Sequence, residues 1–347
     1  VDISVGRYVD LVVEFLEAVE YGEPEGSVDE RVETLRYVYR GTMEYFTRPD
    51  VQDIPVDREL LEIYVRTITR MTVLGWENLS RDTLLPLTIH FLHTVIEDDL
   101  EVNPFLANTH PADNFIHELV GGGDQVHPVH RSIFASFPDL LRHYGKFAQL
   151  ALLRYTLDFL QGTWVEGRRF QGFPGSGEYP MWLRRLTGMG GFCAISLFPA
   201  DQFDEDRQFG DVVTVIAYLI PIVPLVNDVF SFYKEKAGAD GDFCLVNSRS
   251  ATSDQDTEQV LRGAVRDSVH AVQQLRHTLG GRQSAALKTA NDFLRGYIRW
   301  HLSDERYQMK ELGAQCGTGS RSAVKFQRFR EIACRASCID LVDFQTL

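Results

Sequence analysis

The stretch Asn227-Asp228-Val229-Phe230-Ser231-Phe232-Tyr233-Lys234-Glu235 decides the reading of this chain, because three oxygen-bearing side chains, Asn227, Ser231 and Glu235, recur in it at intervals of four. On an α-helix that spacing places them on one stripe. An amide carbonyl, a hydroxyl and a carboxylate are hard donors of the kind Mg²⁺ takes, with water and substrate phosphate oxygens filling its other positions. Lys234, next to Glu235, is placed to reach a metal-bound anion. Polar residues at helical spacing also occur on solvated faces, but here they alternate with Val229, Phe230, Phe232 and Tyr233. A helix so apolar is buried, and buried polar groups need partners. The nearly unbroken apolar run Val212 to Val226 precedes the stripe, so the polar face emerges where a buried helix would reach the mouth of a cavity.

A second helix end has a similar character. From Ser80-Arg81-Asp82 an apolar segment runs through Leu84, Leu87, Phe91, Leu92 and Ile96 into Glu97-Asp98-Asp99-Leu100-Glu101, four acids within five residues. Buried helices seldom end in such a cluster without a cation. Asp98 is the first candidate ligand; a frame using Glu97 and Glu101, also four apart, is the alternative.

Upstream, residues 5 to 20, 28 to 46 and 57 to 76 repeat apolar groups at intervals of three and four, as amphipathic helices do, and Ser27 to Glu30 reads as a capping box. Residues 103 to 130, rich in Pro, Asn, His and Gly, read as a loop with one short helix. His110, His117, His127 and His130 there fit no standard zinc spacing and read as solvated loop histidines. Helical period returns from Pro138 to Trp164, breaks at Gly172 to Gly177 and resumes at Glu178. The cluster Gly188, Gly190 and Gly191 predicts a break or a close backbone approach. Further helices are expected over 205 to 235, with a kink at Pro221 and Pro224, and over 254 to 279, 284 to 303 and 322 to 336. With almost no period-two alternation and no linker, the chain reads as all-α, a single-domain helical bundle over 1–347 around a deep apolar cavity.

The totals bound the partners. The 347 residues, 44% hydrophobic and 24% charged, are ordinary for a globular protein. A formal charge of −14, from 35 basic and 49 acidic residues, argues against nucleic acid or an anionic membrane surface. The apolar run of 15 residues from Val212, interrupted by two prolines, is short for a membrane span. Five cysteines without a CxxC pair read as reduced thiols, hence a cytoplasmic location.

The sequence resembles the class I terpene cyclases, and the fungal trichodiene synthase family in particular, from about residue 30 to 310. The resemblance is carried by Thr156-Leu157-Asp158-Phe159, Gly172 to Ser176, Tyr179-Pro180 with Leu183-Arg184-Arg185, the block Val226 to Glu235, and Trp300-His301-Leu302 with Asp304-Glu305-Arg306-Tyr307. It implies an all-helical fold, three Mg²⁺ ions, and ionisation of farnesyl diphosphate followed by cyclisation, with diphosphate released. It assigns Asp98, Asn227, Ser231 and Glu235 to the metals, and Arg184, Lys234, Arg306 and Tyr307 to the diphosphate. Phe91, two helical turns before Asp98, is the first candidate for the aromatic wall that a carbocation needs, followed by Phe159, Trp164, Tyr297 and Trp300. The family's acidic motif ends in Asp, whereas Val102 stands in that place here. Trichodiene and another sesquiterpene such as longiborneol are both open as products, and the resemblance leaves room for a homodimer. Two other readings stay open: a catalytically silent helical binding protein that keeps the fold, and a prenyltransferase, which would need a second DDxxD in place of Asn227 to Glu235.

Overall fold

The computed structural model describes residues 3–22, 28–102, 115–237, 244–316, 319–338, 341–342 and 344, with the side chains of residues 100 to 102 left aside. Among these residues the secondary structure is helical, without strands. The N-terminal helices are α1 (Val5–Ala18), α2 (Val28–Phe46), α3 (Arg58–Gly75) and α4 (Arg81–Val102). Then come α5 (Phe115–Gly121), α6 (Pro128–Leu141), α7 (Lys146–Gly167), α8 (Tyr179–Thr187) and α9 (Gly190–Ile195). The long α10 (Phe209–Ala237) follows, then α11 (Leu245–Thr252), α12 (Thr257–Leu279), α13 (Ala285–Ser303), α14 (Met309–Gln315) and α15 (Arg321–Ser337).

Local chemistry explains where several of these begin. Ser4, Asp57, Ser284 and Ser320 each accept a hydrogen bond from a backbone N–H of the first turn of α1, α3, α13 and α15. Asp256 and Gln259 form a reciprocal capping box at α12. The capping box expected at Ser27 lies outside the described residues.

Two readings of the chain are corrected. The segment expected as one helix from Pro138 to Trp164 is two, because α6 already begins at Pro128 and stops at Leu141. The start of α7 is set from a distance: the Glu205 carboxylate accepts from Phe147 N at 3.1 Å and from Ala148 N at 2.9 Å. A cap supplied by a residue about sixty positions away leaves no local signal. The second correction concerns the histidines. His117 is exposed on α5, but His130 is fully buried and His127 half-buried where α6 starts; His110 lies outside the described residues.

α10 runs unbroken through Pro221 and Pro224 and packs against α9, α12 and α13. Pro224 lacks the N–H that would bond the Ile220 carbonyl. Gly190 lies against that carbonyl, where an added Cβ would stand 2.2 Å from its oxygen, and Cβ on Gly191 would meet Tyr155 at 2.1 Å. Close approach is therefore what the glycine cluster serves, with a break at Met189, whose φ is +51°. By length and composition α10 could cross a membrane. Here Val215, Ile222, Val226 and Phe230 sit fully buried in an apolar cluster that extends from Ile3 to Val342.

Candidate active site

The helices leave a cavity of about 550 Å³, lined from α3 by Ile68 and Met71, from α4 by Phe91, Asp98 and Asp99, from α7 by Phe159 and Glu166, and from α8 by Arg184. Asn227, Lys234 and Glu235 of α10, Tyr297 and Trp300 of α13, and the following Arg306 and Tyr307 complete it. The two acidic or polar helix ends singled out in the sequence thus face one hollow.

The α10 side is fixed by hydrogen bonds. Nδ1 of His301 lies 2.7 Å from the Tyr297 carbonyl, so that nitrogen carries the proton and donates. Burial depresses the His301 pKa to about 3, which keeps the ring neutral and leaves Nε2 as an acceptor. Asn227 Nδ2 donates to it at 3.2 Å and to the Tyr307 hydroxyl at 3.1 Å. The amide is thereby oriented with Oδ1 towards the α8 side, where Arg184 Nη2 donates to it at 2.9 Å. Arg184 also grips Asp228, with Nε 3.0 Å from Oδ1 and Nη2 2.9 Å from the same oxygen. Burial works against the guanidinium's charge, and Asp228, Glu235 and Glu166 outweigh it, so its pKa is raised.

One turn along, the Ser231 hydroxyl is fully buried and has no hydrogen-bond partner among the described residues. Glu235 Oε1 stands 3.7 Å from Lys234 Nζ. An orphaned hydroxyl between an oriented amide and a carboxylate is a donor set that a hard divalent cation would satisfy. Across the cavity, burial disfavours the charge of Arg306, while Tyr307, Asp99 and Asp98 favour it strongly enough to raise its pKa.

Glu97, the alternative ligand of the acidic run, does not line the cavity. About 100° of helical rotation separates neighbouring residues, and this carboxylate meets His130 Nε2 at 2.9 Å instead. The structure also parts Trp164 from the other aromatic candidates: it is 39% exposed, with the Arg168 guanidinium 4.3 Å above its ring. Phe159 and Glu166 are seven residues apart and share a face of α7, whereas Trp164 is turned about 140° from Phe159. Ser231, fully buried, is not among the residues that line the cavity.

A family model described as trichodiene synthase matches residues 2–346. The chain belongs to the trichodiene synthase family. It is 32% identical over 334 residues to the trichodiene synthase of Gibberella pulicaris, covering 96% of this chain and 86% of that one, and equally identical to that of Fusarium poae, with 96% and 88% covered. Among solved structures, hedycaryol synthase in complex with nerolidol superposes with a TM-score of 0.55 at 19% identity, over 77% of this chain and 94% of the other. The 2-methylisoborneol synthase of Streptomyces coelicolor A3(2), in complex with Mg²⁺ and 2-fluoroneryl diphosphate, gives 0.55 at 14% identity, over 82% and 95%. The all-helical class I terpene synthase fold follows, and the chain is a sesquiterpene cyclase whose family implies a diphosphate substrate.

Two residues of this cyclase cavity were not singled out from the sequence. Asp228 is the anchor of Arg184; burial, opposed by Arg184, raises its pKa from 3.8 to about 6. Glu166 is raised from 4.5 to about 8, by burial first and then by Asp98. Its signal was available in the letters, a carboxylate seven residues after Phe159 on a largely apolar helix, the same relation that joins Phe91 to Asp98.

Proposed function

We propose that the chain binds farnesyl diphosphate with Mg²⁺, three ions by family resemblance, held by Asp98 on one wall and Asn227, Ser231 and Glu235 on the other. The observation that carries this reading is that Asp98 of α4 and Asn227 and Glu235 of α10 line one cavity together with Arg184, Lys234, Arg306 and Tyr307. When bound, Mg²⁺ supplies Lewis-acid neutralisation of the leaving diphosphate.

Arg184, Lys234, Arg306 and Tyr307 hold the diphosphate oxygens at the mouth, and the isoprenoid chain extends inward. Breaking the allylic C–O bond leaves the electron pair on the diphosphate, and positioned cationic donors favour that separation of charge in a site shielded from water. Arg184 arrives already oriented by Asp228, so little rotamer freedom is lost on binding. Phe91, Phe159, Tyr297 and Trp300 present ring faces to the carbocation and do not react with it as strong nucleophiles would. A cavity of about 550 Å³ is in the range that encloses one small ligand. The cyclase works as one domain spanning 1–347, in the cytoplasm.

Incubating purified protein with farnesyl diphosphate and Mg²⁺, with gas chromatography and mass spectrometry of the extract, tests the proposal. A cyclic sesquiterpene formed only with the metal supports it, and the spectrum decides between trichodiene, longiborneol and another skeleton.

A further inference from the structure

Among the described acids of the α4 run, Glu97 is the one that the cyclase cavity does not use. Its side chain and that of His130 are each 1% exposed. Glu97 Oε1 lies 2.9 Å from His130 Nε2, while Glu97 Oε2 and His130 Nδ1 are buried without a hydrogen-bond partner among the described residues. His127 adds a third such atom, Nδ1. One ligand atom from each of the three residues falls within 4.8 Å of the others.

The fold explains the juxtaposition. His127 and His130 are three apart at the start of α6 and so share a face, and α6 packs on α4. His127 occupies the N-cap position but makes no capping hydrogen bond, so its ring is not there to finish the helix. A histidine–glutamate pair alone would leave these buried atoms unsatisfied, an arrangement proteins avoid. A cation satisfies them together. The positive end of α6 opposes it, and the Glu97 carboxylate offsets that field.

We infer that Glu97, His127 and His130 form a second metal site, which takes a divalent transition ion, Zn²⁺ by its donor set, with water in the fourth position. Two imidazole nitrogens and one carboxylate oxygen match zinc coordination, whereas Mg²⁺ prefers oxygen alone. The site is separate from the proposed magnesium centre and faces the other side of α4. It ties the start of α6 to α4 one residue before Asp98, so its role is to hold the end of that helix in place.

The test uses full-length protein freed of any purification tag, stripped with a chelator and kept in millimolar Mg²⁺. Zn²⁺ is titrated in competition with a chromophoric chelator, and Co²⁺ serves as the spectroscopic probe. One Zn²⁺ per chain should bind despite the Mg²⁺, and Co²⁺ should show the visible bands of a four-coordinate site. Loss of an outer-shell partner already costs about 10–100-fold in affinity, so His127→Ala and Glu97→Gln should weaken Zn²⁺ by at least about 100-fold. His127 is only half-buried, which makes its variant the safer one to fold, and thermal melting of each variant checks this. Asn227→Ala should bind Zn²⁺ as the parent does. Failure to bind Zn²⁺ in Mg²⁺, unchanged affinity in both folded variants, or loss of binding in Asn227→Ala would each overturn the inference.

Discussion

Glu97 and Asp98 are neighbours in the chain, yet the first is sealed against His130 between α4 and α6 while the second opens onto the cavity shared with Asn227 and Glu235. Helical rotation alone separates them, and it sends one carboxylate towards imidazole nitrogen and the other towards the cyclase cavity. A run of acids is therefore not one site. What each can bind is decided by the helix packed against its own face.

Substitutions on the two faces should have unequal effects. Asp98→Ala, Asn227→Ala and Glu235→Ala should each lower turnover by about a thousandfold or more, the scale of losing one electrostatic stabiliser of a transition state. Steady-state product formation measures this, and unchanged circular dichroism shows that the fold survives. Glu97→Gln should lower turnover less than about tenfold on the same scale. Equal losses on both faces would merge the two sites into one.

The next effect is on stability. In the metal-free protein the folded state holds the Glu166 proton up to about pH 8, whereas the ordinary carboxyl releases it near 4.5. Between those values the unfolded chain binds fewer protons, so stability falls as pH rises. Asp228, also raised, adds a smaller change of the same sign up to about pH 6. Each unit of displacement corresponds to about 1.4 kcal/mol, so denaturant unfolding at pH 5 and pH 8 should differ by a few kcal/mol. Glu166→Gln should remove most of that difference.

Smaller effects sharpen the picture of the α10 wall. His301→Ala removes one of the three hydrogen bonds that orient the Asn227 amide and should cost about 10–100-fold in turnover and in Mg²⁺ affinity, as loss of a ligand's supporting hydrogen bond does. Trp164→Ala should change turnover by less than about twofold, since its ring lies on the surface under Arg168 and away from the cavity.

Much of this was legible before any coordinates. The apolar period of α1, α3, α12 and α13 survives translation into structure because each buries one face, and the Asn227, Ser231 and Glu235 stripe survives because its neighbours are apolar. The boundary between α6 and α7 was hidden because Glu205, far along the chain, supplies the cap. Glu166 and Asp228 were passed over because their meaning comes from partners on other helices, Asp98 for one and Arg184 for the other. His127 and His130 were misjudged because a loop-like composition conceals a helix start packed on α4. Trp164 was assigned to the cavity by residue type, and its angle on α7 was the information that mattered.

In the proposed reaction, one hollow lets metal ligands on α4 and α10 act together on a diphosphate. Product analysis of the parent protein and Glu235→Ala, with farnesyl diphosphate in the presence and absence of Mg²⁺, tests it most directly. A cyclic sesquiterpene is expected from the parent only when Mg²⁺ is present, and almost none from the variant. Acyclic alcohols only, formed at a rate indifferent to Glu235, would contradict it.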